Sequence, residues 1–485
     1  MKNLKNILEG LAYRQVIGNI EVDFNEINFD SRSVSKGDLF VALNGVELDG
    51  HRFIESAINK GASVIVCEVL PEISSGVTYV LVEDSALALS ILAANFYDRP
   101  SFKLKVIGIT GTNGKTTIAS QLFELANSLG YASGLLSTIA IRIGAEVYPA
   151  THTTPDSIQI NKYMDLMWRS GVEYCFMEVS SHGIDQQRIA GINFTGAVFT
   201  NLTHDHLDYH KTFSEYRDVK KRLFDSLPKN AFALVNSDDK NGLFMLQNSR
   251  ANKRTYAFKG IADYQGKMLE NSLSGLHFRI NKEEIYAKML GVFNAYNLTA
   301  LYGVSQELGW DKTGVLTALS VLEGAQGRFQ YEISKSGIYV IVDYAHTPDA
   351  LKNVLSTIRD FNGLGKVLTV VGCGGDRDKA KRPKMAEIAA LLSDFLILTS
   401  DNPRSEDPDQ IIRDMEEGLT PDNRSKTISI SNRYQALKLA CQQANANDVV
   451  LVAGKGHETY QEIKGVRHDF DDRSVVNEIL IELKK

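Results

Sequence analysis

A glycine-rich loop between a strand-like and a helix-like segment is the clearest candidate for chemistry. The apolar run at residues 105–110 precedes an amphipathic helix predicted from Ile118 to Leu129, and between them lie Gly111, Thr112, Asn113, Gly114, Lys115, Thr116 and Thr117. Backbone N–H groups of such a loop and of the following helix start bind phosphate oxygens. Lys115 would neutralise β- and γ-phosphate charge, and the Thr116 hydroxyl would bind Mg²⁺. The alternative is a glycine-rich turn that only begins a helix.

Acidic and histidine side chains follow further along the chain. Glu178 ends the apolar run 174–177, where an acid associated with Mg²⁺ is expected beside a phosphate loop, although a capping or surface glutamate is the alternative. Residues 203–210 contain three histidines and two aspartates, including His206 and His210. Their HxHxD spacing is also typical of metallo-β-lactamase-type hydrolases, but Tyr209 stands where that pattern needs histidine. Some of these histidines would instead cap helices or pack.

The motifs in combination resemble those of the Mur ligases, the ATP-dependent amino-acid ligases of peptidoglycan synthesis. The resemblance covers essentially the whole chain. It rests on Asp30-Ser31-Arg32, residues 111–117, Thr153-Thr154-Pro155, residues 177–182 and 201–210, Asn294 and Asn297, residues 343–348 and 374–378, Asp401-Asn402-Pro403-Arg404 and residues 454–458.

The resemblance implies an α/β protein of three domains. A uridine-nucleotide-binding domain would span residues 1–100, a central ATPase domain with a mostly parallel sheet 101–330, and a Rossmann-like amino-acid-binding domain 331–485. The implied reaction adds the third stem-peptide residue to UDP-N-acetylmuramoyl-L-alanyl-D-glutamate. ATP would convert a carboxylate of the acceptor into an acyl phosphate, which the amine of the incoming amino acid attacks.

The same resemblance assigns roles around the phosphate loop. ATP would contact residues 111–117, with Asn294 and Asn297 at adenine and Arg328, Asp343 and His346 lining the cleft; the alternative for the two asparagines is helix capping. Lys220 would be carbamylated, whereas the residues alone predict a solvated helix position, because Lys221 and Arg222 follow it. The catalytic and Mg²⁺-binding set would comprise Lys115, Thr116, Glu178, His206, His210 and carbamylated Lys220.

The acceptor substrate would contact residues from two domains. Those implied by motif position are Phe29, Ser31, Val46, Glu47, Leu48, His152, Thr153, Thr154, Ser180, Gln186 and Arg188. Only backbone contacts carry over at residues 46–48, because the residue types differ from those of relatives. The Arg188 guanidinium suits bidentate pairing with a carboxylate.

Arg404 indicates which amino acid is added. Relatives use meso-diaminopimelate or L-lysine and differ at the last residue of the Asp-Asn-Pro-x tetrapeptide. Meso-diaminopimelate carries an additional distal carboxylate, which pairs with a guanidinium, whereas lysine would place an ammonium there. The expected pocket comprises Arg377, Asp401, Asn402, Pro403, Arg404, Gly454 and Glu458. L-lysine remains the alternative substrate.

Short apolar runs must position these side chains. Runs at residues 63–67, 105–110, 174–177, 339–342, 367–371 and 449–453 alternate with amphipathic segments such as 87–97. Fully apolar strands separated by helices predict parallel sheets covered on both faces. Polar and glycine residues that end these strands would then meet at one edge of each sheet.

Composition limits the remaining classes. The 485 residues carry 53 basic and 59 acidic side chains, a net charge of −6, which argues against nucleic-acid binding. We expect no membrane segment and no signal peptide, four reduced cysteines, and a monomeric cytoplasmic enzyme whose partners are small molecules. Attraction of anionic substrates must therefore come from a local cluster: Lys115, Arg188, Arg328, Arg377 and Arg404. Two other functions stay open, a folylpolyglutamate synthase-like ligase and an ATPase motor or switch.

Overall fold

The buried strands follow the apolar runs of the sequence. The computed structural model describes residues 1–45, 48–203, 205, 207–324, 327–361 and 363–485. All six strand predictions are confirmed, and the helix predicted at 87–97 lies at Ser85–Phe96. The α/β class with mostly parallel sheets is confirmed as well. The helix predicted from Ile118 begins earlier, at Lys115, so the lysine and both threonines of the loop form its first turn.

The N-terminal segment forms a five-stranded sheet among the described residues, in the order β2-β7-β6-β5-β4, with only β2 antiparallel. A second pair, β1 and β3, is antiparallel. The strands are β1 Lys2–Asn3, β2 Gln15–Ile17, β3 Asp23–Phe24, β4 Ile27–Asn28, β5 Leu39–Val41, β6 Val64–Cys67 and β7 Thr78–Leu81. The helices are α1 Leu4–Ile7, α2 Ile54–Asn59 and α3 Ser85–Phe96.

The central segment forms an eleven-stranded sheet among the described residues, in the order β11-β10-β9-β12-β8-β13-β14-β15-β16-β17-β18. Its strands are β8 Lys105–Thr110, β9 Ser133–Leu136, β10 Ile141–Ile143, β11 Glu146–Tyr148, β12 Tyr174–Glu178, β13 Gly196–Phe199, β14 Phe232–Asn236, β15 Asn252–Ala257, β16 Tyr264–Ser272, β17 Gly275–Ile280 and β18 Glu283–Ala287. Its helices are α4 Lys115–Ser128, α5 Ser157–Arg169, α6 Ser181–Asp185, α7 Leu207–His210, α8 Phe213–Asp225, α9 Gly242–Met245, α10 Val292–Glu307 and α11 Lys312–Val321.

The C-terminal segment forms a six-stranded sheet among the described residues, in the order β19-β20-β24-β21-β22-β23, and a separate hairpin of β25 and β26. Its strands are β19 Gln330–Ile333, β20 Tyr339–Asp343, β21 Val367–Val371, β22 Phe395–Leu398, β23 Thr427–Ser429, β24 Val449–Ala453, β25 Tyr460–Ile463 and β26 Val466–Asp469. Its helices are α12 Pro348–Arg359, α13 Lys381–Leu392, α14 Pro408–Glu416, α15 Pro421–Arg424, α16 Arg433–Gln443 and α17 Asp472–Glu482.

Side-chain alternation along each central strand explains why these sheets are covered on both faces. In β8, Ile107 and Ile109 enter one buried cluster and Val106 enters another. In β24, Leu451 and Val452 likewise belong to different clusters. Because successive strand residues point to opposite faces, an all-apolar strand must be packed on both sides. The polar residues that follow each strand therefore collect at the sheet edges.

Two further expectations concern the chain as a whole. The four cysteines are free and buried. Within the described ranges, no helix combines the length and the apolar character needed to cross a lipid bilayer.

Candidate functional site

The phosphate loop lies between β8 and α4. Gly111 and Gly114 have φ angles of +147° and +89°, and a Cβ on Gly111 would lie 1.9 Å from Thr200 Oγ1. Glycine is therefore required at Gly111 for both conformation and space. Because α4 begins at Lys115, the unpaired N–H groups of its first turn follow the loop directly. The arrangement suits an anion such as a nucleotide phosphate.

Lys115 lies across this loop. Its Nζ donates hydrogen bonds to the carbonyl oxygens of Gly111 at 3.0 Å and Thr112 at 2.8 Å. Burial lowers the pKa of the ammonium, and the carboxylates of Glu178 and Asp205 act in the opposite direction. The lysine therefore lies where negative phosphate charge would stabilise its protonated form.

Glu178 lies beside the loop because β12 pairs in parallel with β8, with Glu178 opposite Ile109. Its buried carboxylate accepts hydrogen bonds from Thr116 Oγ1 at 2.9 Å and from the Thr138 backbone N–H at 2.8 Å. Arg328 Nη2 also lies 3.2 Å from Thr116 Oγ1. A carboxylate and a hydroxyl at a phosphate loop are oxygen ligands of the kind that Mg²⁺ prefers, so the residues fit this ion.

Lys220 is buried, so the solvated position predicted from the residues alone is wrong. Only 1% of the side chain is exposed, and its Nζ donates to the Gly111 carbonyl oxygen at 2.9 Å. Tyr216, Lys220 and Leu223 share the buried face of α8, because they are spaced four and three residues apart. Burial, and next the charge of Lys115, hold the pKa of Lys220 well below its ordinary value. That helical spacing was the available sequence signal.

His210 packs among aromatic rings. It is fully buried, with ring centroids 5.3 Å from Tyr216 and 5.7 Å from His182. Packing, the alternative considered for the histidines of residues 203–210, therefore describes the surroundings of His210. His206 lies outside the described residues, as do Val46 and Glu47.

The expected acceptor residues of the central domain lie around a cavity of about 570 Å³. Its lining includes His152, Thr153, Thr154, Ser180 and Arg188. Thr154 Oγ1 donates to the Glu178 carbonyl oxygen at 2.9 Å, and Ser180 Oγ caps α6 by accepting from the Gly183 N–H. Gln186 Oε1 accepts from Arg188 Nη2 at 2.6 Å and so orients the guanidinium. The residues expected to contact the acceptor substrate are thus held in place by hydrogen bonds around the cavity.

The expected uridine-side residues that the structure describes lie in loops of the N-terminal segment. Phe29 is 37% exposed and follows β4, Ser31 is buried in the next turn, and Leu48 is 62% exposed. Asp30 accepts a hydrogen bond from Arg32 Nη2 at 2.8 Å within that turn. These residues line neither that cavity nor the two other cavities that border the phosphate loop.

A second cavity, of about 420 Å³, also borders the phosphate loop. Asn297, Arg328 and Asp343 line it. Asn294 does not line this cavity; its Oδ1 accepts from Asn297 Nδ2 at 3.1 Å, and its Nδ2 donates to the Leu290 carbonyl oxygen at 2.8 Å. The capping alternative for the two asparagines is wrong, because Gly291 is the N-cap of α10. Sequence reasoning missed the lining side chains Asp238, Phe293 and Tyr296, although the last two adjoin the asparagines in the chain.

Two titratable groups end β20 and begin the next loop. Burial raises the pKa of Asp343 to about 6, against the opposing charge of Arg328, and its carboxylate accepts from the Phe329 N–H at 2.6 Å. Burial and the charge of Lys381 lower the pKa of His346 to about 4. The Nδ1 of His346 lies 2.9 Å from the Tyr344 carbonyl oxygen. At neutral pH His346 is therefore uncharged.

The expected amino-acid pocket shares one cavity of about 380 Å³ with the phosphate loop. Its lining includes Lys115, Thr116, Glu178, Arg377, Asp401, Asn402, Arg404, Gly454 and Glu458. Pro403 does not line this cavity; its carbonyl oxygen accepts from the Glu406 N–H in the adjoining turn. Residues that follow three strands of the C-terminal sheet thus face the loop that follows β8.

Hydrogen bonds hold this pocket together. Asn402 Nδ2 donates to Glu458 Oε2 at 2.7 Å, and Arg404 Nη1 donates to the Gly375 carbonyl oxygen at 2.7 Å. Burial, and next the charge of Asp401, raise the pKa of Glu458. Gly454 has φ +116°, and a Cβ there would lie 2.5 Å from Asp401 Oδ2. The pocket therefore presents a guanidinium and a carboxylate, which suits a ligand that carries both charges.

The C-terminal domain rests directly on the phosphate loop. Asn113 Nδ2 of the loop donates to Asp349 Oδ2 of α12 at 3.2 Å. Sequence reasoning missed Tyr344, which lines two of the cavities and packs its ring 4.5 Å from the Arg328 guanidinium carbon. It also missed Lys381, which lines the shared cavity. Both lie near expected site residues in sequence, but their contacts come from distant segments.

The fold and site define a phosphate-loop enzyme with a second, C-terminal pocket in the same cleft. Three family models match the chain: "Mur ligase family, catalytic domain" at residues 23–97, "Mur ligase middle domain" at 109–304 and "Mur ligase, glutamate ligase domain" at 327–456. The chain belongs to the Mur ligase family and is a ligase.

Similar proteins carry the name UDP-N-acetylmuramoyl-L-alanyl-D-glutamate–2,6-diaminopimelate ligase. The protein from Cytophaga hutchinsonii is 52% identical over 484 residues, which cover 99% of this chain and 100% of that protein. The protein from Phocaeicola vulgatus is 50% identical over 478 residues, which cover 98% and 99%. A solved structure of a ligase with this name aligns with a TM-score of 0.68 and 34% identity, and the alignment covers 95% of this chain and 96% of that one.

Proposed function

We propose that this ligase uses ATP to join meso-2,6-diaminopimelate to the D-glutamate of UDP-N-acetylmuramoyl-L-alanyl-D-glutamate, a cytoplasmic step of peptidoglycan synthesis. The observation that carries the proposal is the single cavity lined by the phosphate loop and by the Arg404 and Glu458 pocket. The names of relatives 52% and 50% identical over nearly the whole chain support it.

Each domain takes one substrate in this proposal. Residues 1–100 hold the uridine end of the acceptor, 101–330 hold ATP, and 331–485 bring the amino acid. The separate sheets formed within these segments support the division. Contacts between Asn113 and Asp349 support a working enzyme in which the third domain closes onto the second. We propose that the enzyme acts as a monomer, with small molecules as its partners.

The chemistry begins with activation of the acceptor carboxylate. A carboxylate is a poor electrophile, so its oxygen attacks the γ-phosphate of ATP to give an acyl phosphate and ADP. The amine then adds to the acyl carbon, and the tetrahedral intermediate collapses with loss of phosphate. Two anions meet in the first step, so Lys115 and Arg328 stabilise the charge that develops there. The loop residues Gly111, Thr112, Asn113, Gly114 and Thr117 bind phosphate. Asn297 and Asp343 border the nucleotide, and Asn294 orients Asn297 through its hydrogen bond.

Thr116, Glu178 and carbamylated Lys220 would hold Mg²⁺, and His206 and His210 stay further candidate ligands that the resemblance implies. Bound there, the ion would offset phosphate charge. Lys220 suits carbamylation because burial, and next the charge of Lys115, hold its pKa well below the ordinary value and so favour the neutral amine, which is the form that reacts with carbon dioxide. The carbamate replaces a cation by an anion beside Gly111. His210 contributes by packing against Tyr216 and so positioning the residues around Lys220.

The amino-acid pocket accounts for the choice of meso-diaminopimelate. Arg404 pairs with the distal carboxylate, Arg377 with the other, and Glu458 with an ammonium. Asn402 orients Glu458, and Gly454 leaves space for Asp401. L-lysine would place an ammonium near Arg404 and leave the guanidinium unpaired. L-lysine is therefore the weaker candidate.

The acceptor occupies the neighbouring cavity. Thr153, Thr154, Ser180, Gln186, Arg188 and His152 border the muramoyl-dipeptide, while Phe29, Ser31 and residues 46–48 contact the uridine end. Thr138 Oγ1 donates to Thr153 Oγ1 at 3.0 Å, which links this wall to the Glu178 region. The match of residues 23–97 to a Mur ligase model favours this acceptor over a folate substrate.

Phosphate release tests the proposal against an ATPase that needs no ligase substrates. We expect ADP and phosphate to accumulate only when ATP, the UDP-muramoyl-dipeptide and meso-diaminopimelate are all present, because the amine must discharge the acyl phosphate. Omission of each substrate in turn is the control. Sustained phosphate release without the acceptor would contradict the proposal.

A further inference from the structure

The hairpin of β25 and β26 is fixed to the amino-acid pocket by backbone contacts. The Arg404 N–H donates to the Glu462 carbonyl oxygen at 3.0 Å, and the Lys464 N–H donates to the Arg404 carbonyl oxygen at 2.7 Å. Asn402 Oδ1 accepts from the Glu462 N–H at 2.8 Å. Arg404 therefore pairs with Ile463 in an isolated parallel bridge, and these bonds fix the position of the hairpin relative to the amino-acid pocket.

Arg467, on the second strand of this hairpin, faces the acceptor cavity. It lines that cavity together with Tyr460, and its guanidinium carbon lies 4.3 Å from the centre of the Tyr460 ring. Stacking on an aromatic face orients a guanidinium without using its N–H groups. Its side chain has no hydrogen-bond acceptor among the residues that the structure describes. Arg467 thus presents an oriented set of donors to the cavity.

The other arginines of this cavity have donors already engaged. Arg188 Nη1 donates to the Thr154 carbonyl oxygen at 2.7 Å, and its Nε and Nη2 both donate to Gln186 Oε1. Arg377 Nη1 donates to the Asp376 carbonyl oxygen at 3.0 Å. Among the described residues that line this cavity, Lys115, Arg188, Arg377 and Arg467 outnumber the one side-chain carboxylate, that of Glu458, and a carbamate on Lys220 would not reverse this excess. The cavity therefore favours an anion.

We infer that Arg467 binds the carboxylate of the acceptor's terminal D-glutamate that does not react. This inference rests on the proposed function, which supplies an acceptor with two carboxylates on that residue. One carboxylate must lie at Lys115 to be phosphorylated, and the other stays ionised throughout the reaction. A guanidinium pairs bidentately with such a group, which would fix the acceptor's orientation. The hairpin would thereby link the acceptor site to the amino-acid pocket.

Steady-state kinetics of Arg467→Ala test the inference. We expect the KM for the UDP-muramoyl-dipeptide to rise about tenfold or more through loss of a charge-assisted pair, while the KM values for meso-diaminopimelate and ATP stay within about twofold of wild type. Arg467→Lys should recover part of the loss. His468→Gln changes an exposed side chain on the same strand outside the cavity and should leave all three values unchanged.

The readout separates binding from damage to the hairpin. Because the hairpin is bonded to Arg404, its disruption would raise the KM for meso-diaminopimelate, and that result would overturn the inference. An unchanged acceptor KM in Arg467→Ala would overturn it as well. Wild-type enzyme that forms no product from the three substrates would instead contradict the proposed function.

An acceptor with the non-reacting carboxylate converted to an amide identifies the anion. For wild type, the amide should raise the acceptor KM about as much as Arg467→Ala does. For Arg467→Ala, the amide should add little, because the pair is already lost. Equal penalties of the amide in both enzymes would show that Arg467 does not contact this carboxylate.

Discussion

Burial changes what the Lys220 side chain can do. An exposed lysine is protonated near neutral pH, whereas this amine lies under the phosphate loop beside Lys115 and has a pKa well below the usual range. The neutral form is the nucleophile that captures carbon dioxide, and the product is an anion. A site that would otherwise hold two neighbouring cations thereby gains an oxygen ligand.

We therefore expect Lys220 to be carbamylated in the active enzyme. With ¹³C-labelled bicarbonate, wild-type protein should show one carbamate carbon signal by NMR that Lys220→Gln lacks, together with a fall in kcat of about 10²-fold or more. Lys221→Gln is the matched control, because Lys221 pairs with Asp225 on the same helix. Persistence of the signal in Lys220→Gln would exclude this lysine as its source.

Arg404 should determine amino-acid choice. Replacement by alanine removes the partner of the distal carboxylate, so kcat/KM for meso-diaminopimelate should fall about 10²-fold or more, on the order of 2.7 kcal/mol. The measurement compares meso-diaminopimelate with L-lysine in both enzymes. Unchanged kinetics with meso-diaminopimelate would show that Arg404 does not bind the distal carboxylate.

At the scale of elements, a buried ion pair holds the strand ends that carry the amino-acid pocket. Arg433, at the start of α16, pairs with Asp472 of α17 through two bonds of 2.7 Å, and both side chains are fully buried. Its other N–H groups donate to the carbonyl oxygens of Ser400 and Ala453. These residues directly precede Asp401 and Gly454, so Arg433 fixes two walls of the pocket relative to each other.

Loss of this pair should affect both the stability of the protein and the KM for meso-diaminopimelate, and a double variant should restore only the stability. Arg433→Met leaves the Asp472 carboxylate buried without its partner, so thermal unfolding should show a loss of about 3–5 kcal/mol. The double variant Arg433→Met/Asp472→Leu should recover much of that stability. Its KM for meso-diaminopimelate should nevertheless stay raised, because the two carbonyl oxygens still lack their donor. A normal KM in a stable double variant would contradict the positioning role.

The sequence predicted elements better than it predicted their contacts. Apolar runs such as 105–110 are sufficient to place strands, because a strand buried on both faces needs apolar residues throughout. The start of α4 was missed, since Lys115 and the two threonines carry no apolar periodicity. The helical spacing of Lys220 with Tyr216 and Leu223 was a local signal for its burial. Its hydrogen bond to the Gly111 carbonyl oxygen and the stacking of Arg328 on Tyr344 instead join segments that are separated in sequence, and local patterns do not specify such contacts.

At the scale of the molecule, the cleft concentrates positive charge in a chain that is net negative. Lys115, Arg328, Arg377 and Arg404 line one cavity, and Arg188 lines its neighbour, although the net charge is −6. The N-terminal domain is tied to the centre by Ser90 of α3, whose Oγ lies 2.6 Å from Ser157 Oγ. Because screening limits charge effects to about 10 Å in salt, this local cluster governs substrate attraction.

Stability should depend on pH through two groups at the domain junction with opposite signs. His346 has a pKa of about 4, below its ordinary value, so acidification from pH 6.5 toward 4 protonates the unfolded state first and destabilises the fold. Asp343 has a raised pKa of about 6, so acidification below pH 6 stabilises the fold through this group. On acidification from pH 6.5 to 4.5, the thermal midpoint should therefore fall less in His346→Gln and more in Asp343→Asn than in wild type. Each proton bound by only one of the two states changes the free energy of unfolding by about 1.4 kcal/mol per pH unit. The reverse order of the variants would contradict these assignments.

Mass spectrometry of the product shows which amino acid the enzyme joins to the acceptor. Purified enzyme is incubated with ATP, UDP-N-acetylmuramoyl-L-alanyl-D-glutamate and either meso-diaminopimelate or L-lysine at equal concentration. We expect a product whose mass equals that of the acceptor plus meso-diaminopimelate minus water, and much slower formation of the lysine product. Preferential formation of the lysine product, or no amide product with either amino acid, would contradict this expectation.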